Sequence, residues 1–495
     1  MLRGLAGPAC LIAMLVWSAP APGCAQDRQP YPQAEAASGG GETLRPLNRA
    51  WNPGEGASLR QGDHRLGASL RLRYYDYRNV YGLGAEPDPS AQTVAARIRI
   101  SLDWRRTAAW RLFAQVASES DLRLDCGSCE DGVGEIIFES LYAENVRPWG
   151  LPLAVRLGRQ DLFYGEGFLV ADGGPLDQSR TTYANAVVIT SQIPLWSIDA
   201  LVLYDPRSDI YLPRINNKRV ALVENDEFAI GVFASRRPSP GTALRYGFDP
   251  YYIFKKESAN GRVARIHTVG TVVSANLGRA RAALEVAYQG GRAPEIEYPG
   301  AAEQGLSGPL TVSAVGGHAT AQTRLGLPLP LDFAAGYVFL SGDASRTRNK
   351  FEGWNPVLGR VPIISDLYIF TLAAEAPGHP MNQGLAYWQN LSMPFFKIGF
   401  DRGGSVAAEI RYCRLDAFED LPTAEKLATP QLEGPKHRGD LVAARLSFNL
   451  PWRLAGNAVY EIFRPGDFYP AILTGSGFTE PRDATYFRLE ISRSL

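Results

Sequence analysis

Arg71, Arg73, Arg97, Arg99 and Arg111 stand on one side of three runs whose other side carries Leu70, Leu72, Ile98, Ile100 and Leu112. A guanidinium keeps its proton at any working pH and grips a carboxylate through two parallel hydrogen bonds. A row of them along a watery passage is therefore a path for anions. Within these three runs Asp103 is the one inward mid-strand acid, so the row reads as a basic wall. The alternative is that the arginines balance acids across the lumen, as in an ordinary porin constriction. Later runs add Glu285, Glu409, Arg411, Arg445, Glu461, Arg488 and Glu490 to the same presumed face. These acids either keep a polyanion from sticking or form structural ion pairs. Arg156 falls on that face too, whereas strict alternation from Leu153, Val155 and Leu157 sets Arg159 on the opposite one. A charge there at mid-membrane costs ~2 to 4 kcal/mol, so a bulge at Gly158 turning Arg159 inward, or a strand that ends near the interface, is expected.

The elements that must carry these side chains are strands. Leu66, Ala68, Leu70, Leu72 and Tyr74 alternate with Arg65, Gly67, Ser69, Arg71 and Arg73, a period of two. The same pattern returns over Val94–Trp104, Trp110–Ala117, Leu153–Gln160, Trp196–Tyr204, Ala282–Gln289, Val406–Cys413, Leu441–Leu450, Asn457–Phe463 and Tyr486–Leu495, with Gly, Pro, Asn and Asp clusters between. Trp196 and Tyr204 share a face with Ile198, Ala200 and Val202 between them. Such a stretch, tilted ~40°, covers about 20 Å, close to the ~25 Å apolar band of a membrane barrel. Charge in mid-strand on the other face is costly in a dry sandwich core and tolerable in a wet lumen. The expected fold is all-β: one transmembrane antiparallel barrel of about 16 to 18 strands. The long interruptions are Arg207–Asn225, Ala293–Leu306, Ala344–Asp366 and Asp416–His437.

Charge and composition narrow the function. The chain has 495 residues with 51 basic and 51 acidic side chains, so no net field draws in nucleic acid. Arg3, the apolar run Leu11–Trp17 and Gly23-Cys24-Ala25 read as a signal peptide over residues 1–25, with acylation of Cys24 as the minor alternative. Residues 26–62, rich in Pro, Gly, Gln and Ala, read as a flexible periplasmic leader, and 63–495 as the barrel. No later segment reaches the ~18 apolar residues of a spanning helix, which leaves a barrel as the way across. Cys126 and Cys129 sit in a loop where a local disulfide is the expected state, and Cys413 is left as a small lumen or wall residue. His64, His267, His318, His379 and His437 are dispersed among turns and strand ends, with no Gly-x-Ser-x-Gly or His-Glu-x-x-His string. Catalysis, a cofactor and a metal are not expected.

Five strings carry a resemblance: Leu70-Arg71-Leu72-Arg73-Tyr74, Arg156-Leu157-Gly158-Arg159-Gln160, Tyr288-Gln289-Gly290-Gly291, Ser341-Gly342-Asp343 and Phe463-Arg464-Pro465-Gly466-Asp467-Phe468. In this order, from about Ala57 to Leu495, the chain resembles the alginate export family of outer-membrane proteins. That resemblance implies an 18-stranded barrel in a Gram-negative outer membrane, with an arginine-lined pore, including an inward Arg159, that passively exports an anionic exopolysaccharide. It also implies outer-membrane lipid around the barrel and periplasmic polysaccharide-secretion proteins as partners. The chain departs from the usual aromatic terminus of such barrels by ending in Leu495. Two other functions fit the same residues. One is a porin-like channel for small anionic solutes; the other is a lipid-modifying barrel enzyme with Ser and His facing lipid. Export predicts long loops at both pore mouths.

Overall fold

The computed structural model describes residues 64–494 except 81–90, 125–131, 173–183, 216–224, 237–243, 260–261, 294–308, 326–329, 344–348, 360–364, 366, 368–388, 402–405, 420–433 and 469–480. The expected signal peptide and leader, and Cys126 and Cys129, lie outside these residues. The chain runs through β1 (His64–Arg78), β2 (Ala91–Arg105), β3 (Trp110–Arg123), β4 (Gly132–Val146), β5 (Leu153–Gln160), β6 (Leu162–Tyr164), β7 (Val170–Asp172), β8 (Ala184–Ile193) and β9 (Trp196–Asp205). It continues with β10 (Asp226–Arg236), β11 (Leu244–Ala259), β12 (Arg262–Leu277), β13 (Ala280–Ala293), β14 (Leu310–Leu325), β15 (Leu331–Leu340), β16 (Lys350–Phe351) and β17 (Leu358–Gly359). The last are β18 (Leu391–Asp401), β19 (Val406–Asp416), β20 (His437–Leu450), β21 (Leu454–Pro465) and β22 (Ala484–Ser494).

All but the four short strands β6, β7, β16 and β17 form an 18-stranded antiparallel barrel. It closes where β1 meets β22, with Arg73 opposite Glu490 and Tyr77 opposite Tyr486. Closure leaves no edge strand and satisfies the wall's backbone inside the sheet, the condition for crossing a membrane. No helix among the described residues is long and apolar enough to span one.

The wall is inverted relative to a soluble sheet. Leu66 is 70% exposed, Ile410 61%, Leu157 59% and Ile100 58%, whereas Arg73 is 1% and Arg488 0% exposed. Large aliphatic groups on the outside and buried arginines on the inside require lipid without and a polar lumen within. Trp196 and Tyr204 do share the outward face of β9, while Leu201 and Leu203 between them turn inward and are buried. The fold and this apolar exterior place the chain in a Gram-negative outer membrane.

Because the strands alternate in direction, the connections separate into two ends. Residues 79–90, 161–183, 206–225, 294–309, 341–390, 417–436 and 466–483 all join strands at one end; 106–109, 147–152, 194–195, 278–279 and 451–453 join them at the other. Barrels of this kind place the short turns in the periplasm. Long connections at both mouths, expected of an exporter, are not what the topology provides.

Arg159 illustrates how one glycine redirects a strand. Gly158 adopts φ +131°, a region that side chains rarely enter, and any Cβ there would run into the Leu141 carbonyl oxygen. No residue is inserted: Gly158 pairs with Tyr142 and Ala186 in unbroken register. The alternation nevertheless breaks, so Leu157 faces lipid while Arg156 and Arg159 are both buried inside. Gly158→Val is expected to abolish assembly, read as loss of the heat-modifiable band and of outer-membrane material; Leu157→Val, one residue away on the lipid face, should assemble normally.

Candidate pore and constriction

The lumen has two unlike halves. From β9 to β15 the inward residues are largely apolar and buried, among them Leu203, Ala229, Ile253, Ile266, Val312 and Ala314. They are covered by chain that folds in after β5 and after β15. There β7 lies between β6 and β17 in a small sheet, with Leu358 beside Val170 and Phe163 beside Ala171. Trp354, 2% exposed, stacks on Phe168 at 5.4 Å and sits over Gly316, where a Cβ would meet its ring at 2.5 Å. The turn at Asn355-Pro356-Val357 is clamped to the wall. Gln289 Nε2 donates to the Asn355 carbonyl at 2.6 Å, the Asn355 N–H donates back to Gln289 Oε1 at 2.9 Å, and Lys255 Nζ donates to the Val357 carbonyl at 2.6 Å. Tyr164 stacks on Phe233 at 3.8 Å and completes the contact.

From β18 through β22 and on to β5 the inward face is charged instead. Arg411, Arg445, Glu409, Glu461, Arg488, Glu490, Arg71, Arg73, Arg97, Arg99, Arg111, Arg156 and Arg159 all lie on this arc, so the fold gathers into one surface residues far apart in the chain. Glu285 is the exception. It stands on β13 under the inserted chain at Gly165, accepts the Tyr251 hydroxyl at 3.0 Å, and lies 3.4 Å from His318 Nε2. It belongs to the filled half and does not line the charged arc. Glu461 is likewise an anchor, accepting Ser365 Oγ at 2.7 Å and the Leu367 N–H at 2.8 Å.

The unopposed basic wall is corrected by its neighbours. Arg71 pairs with Glu119 at 3.2 Å, Arg73 Nε donates to Glu490 at 2.7 Å, and Arg99 grips both oxygens of Glu139 at 2.6 and 2.9 Å. Arg111 holds Asp103 through two bonds of 2.8 Å, Arg156 meets Glu144 at 2.8 Å, and Arg159 holds Asp209 at 2.6 and 2.8 Å. Asp103 is thus one acid among several. Glu119 and Asp121 share the alternation of Gln115 and Ala117 and were legible once β3 is carried to Arg123. Glu139 was not: it is the extra residue of a bulge, between Phe138 paired with Val116 and Ser140 paired with Gln115. Asp209 arrives from the connection after β9, which no strand pattern announces.

Two tiers follow from burial. Arg71, Arg73, Arg97 and Arg488 are packed away, whereas the side chains of Arg99 and Arg111 keep 15% and 22% of their surface, and Lys397 26%. The accessible tier is where a passing solute meets charge. Phe113 and Tyr142 stack at 5.2 Å beside Arg111, and the Arg156 guanidinium lies 4.9 Å from the Tyr142 ring. Cys413 is buried on the inward side of β19, among Arg411 and Leu415.

At the mouth, Asp343 accepts the Glu352 N–H at 2.9 Å. Burial, then the Glu352 and Glu419 carboxylates, push its carboxyl up to about 7 against that hydrogen bond. The folded state therefore binds a proton more tightly than the unfolded chain. The stability it contributes is complete below its ordinary value near 3.8 and is lost as pH rises through about 7. Once the intrinsic pH dependence of amide exchange is divided out, the protection of residues 341–343 and 349–354 should be lower at pH 8 than at pH 5, and Asp343→Asn should remove that difference.

No protein-family model and no curated protein matches the chain, so the resemblance to the alginate export family has no support beyond the barrel itself. Solved structures do match. Acinetobacter baumannii OccAB2 is 11% identical with a TM-score of 0.53, over 88% of this chain and 98% of that one. Pseudomonas aeruginosa OccK2 (OpdF), solved in complex with glucuronate, is 13% identical with a TM-score of 0.51, over 88% and 99%. Pseudomonas aeruginosa OccK9 (OpdG) is 12% identical with a TM-score of 0.51, over 88% and 98%. At these identities the likeness is one of fold, that of outer-membrane channel barrels.

Proposed function

We propose that the chain is a passive outer-membrane channel for small anionic solutes, carboxylates in particular. The observation that carries this reading is the division of the lumen. Chain folded in after β5 and after β15 covers the β9–β15 half around Trp354, which leaves the arginine arc as the path we assign to the solute. A polar path with accessible Arg99, Arg111 and Lys397 suits a monomeric carboxylate, which one such cation can hold and release. The paired acids temper the field, so a solute is met by charge without being retained. The glucuronate complex of the similarly folded OccK2 barrel favours the same class. Export of an anionic polysaccharide fits less well, because a polymer needs a continuous opening and the long connections all stand at one mouth.

The test is a planar bilayer with glucuronate and with uronate oligomers of increasing length. Glucuronate should carry current and reduce chloride current at millimolar concentration, and oligomers of about ten sugars should do neither. Translocation of the long oligomers as readily as of the monomer would restore the export reading.

A further inference from the structure

The periplasmic rim carries side chains that neither the pore nor the wall uses. Trp149 is 91% exposed and Trp452 78% exposed, each at the tip of a short turn of the same form, Pro148-Trp149-Gly150 and Pro451-Trp452-Arg453. In both, the tryptophan is left-handed, with φ 53° and φ 63°. A bulky residue in that region costs ~1 to 2 kcal/mol, so the turns hold the indoles outward at the expense of backbone strain. Charge at this end is one-sided. The exposed charged side chains among the described residues here are Arg65, Arg106, Arg147, Arg279 and Arg493, all basic. The opposite mouth exposes both signs, Asp226 and Asp483 as well as Arg207 and Arg464. Two of the basic turns are joined: the Val146 N–H donates to the Ala109 carbonyl at 2.8 Å, which ties the 106–109 turn to the 147–152 turn. Arg106, Arg147, Trp149, Leu151 and the 46% exposed Trp110 therefore form one patch at the lower edge of the apolar wall.

We propose that this patch binds the headgroup of an anionic phospholipid of the inner leaflet. Arginine supplies the donors that match a phosphodiester, tryptophan settles at the boundary between headgroup and acyl chain, and Leu151 continues into the apolar layer. The strand ends fix the height at which all three meet lipid. The site is independent of which solute the pore passes.

Native mass spectrometry of the full chain, released from bilayers of equimolar phosphatidylethanolamine and phosphatidylglycerol, reads this directly. The parent protein should retain phosphatidylglycerol on the order of ten-fold over phosphatidylethanolamine, and millimolar inorganic phosphate should not displace it. Arg106→Glu with Arg147→Glu should erase the preference, as should the milder Arg106→Gln with Arg147→Gln if the reversal impairs assembly. Trp149→Ala should weaken retention several-fold and Trp149→Phe restore most of it. Equal retention of the two lipids, an unchanged preference in the arginine variants, or displacement by inorganic phosphate would overturn the proposal.

Discussion

Replacing Arg99 and Arg111 together by glutamate should change the channel from anion-selective to cation-selective. These two are chosen because their guanidiniums reach the lumen, whereas Arg71 and Arg73 are buried in ion pairs whose breakage costs ~3 to 5 kcal/mol and confounds any reading of transport. Each substitution sets two carboxylates together: position 99 against Glu139 and position 111 against Asp103. Screening acts over ~8 Å at physiological salt, so in a lumen narrowed by the inserted chain the reversed pair is felt across the path. In a salt gradient of about ten-fold the reversal potential should change sign between parent and variant. Glucuronate should reduce current in the parent only. A parent channel that already prefers cations, or a variant whose selectivity is unchanged, would remove the arginine arc from the permeation path.

The second large effect concerns the filled half. Trp354→Ala should raise single-channel conductance at least two-fold while leaving the barrel assembled. The indole joins the two inserted segments by stacking on Phe168, and its removal from so buried a site costs ~3 to 5 kcal/mol of local packing. That packing lies between the inserted chain and the inner surface of the wall at Gly316, and the wall's strands are held by their own ladder. Gly316→Leu attacks the same joint from the wall side by occupying the seat of the ring, and should open the pore similarly. Heat modifiability separates an opened barrel from an unfolded one. If both variants conduct like the parent, the inserted chain does not set the constriction.

Much of this molecule was legible residue by residue. Period-two alternation determined which side chains face lipid: Leu70, Leu72, Ile98, Ile100 and Val202 point outward, as their spacing required, because a strand offers only two faces. The same rule placed Arg71, Arg73, Arg97, Arg488 and Glu490 inside, and the strand budget allowed the 18 strands that close the barrel. The polarity of Arg159 was legible as a problem, with Gly158 as its solution.

What alternation does not contain is the partner on a nearby strand of the wall. Arg73 meets Glu490 only because β1 and β22 close the ring, and Arg99 meets Glu139 only because a bulge shifts β4 by one residue. Nor does local pattern disclose that Trp354, Asn355 and Val357 turn back to pack against Phe168, Gln289 and Lys255. The sequence by itself determined the faces of the wall, since that depends on neighbours one and two residues away. Only the tertiary structure decided that the arginines are paired and that half the lumen is filled, because both depend on contacts between different strands and connections, with paired side chains from 8 to 417 residues apart.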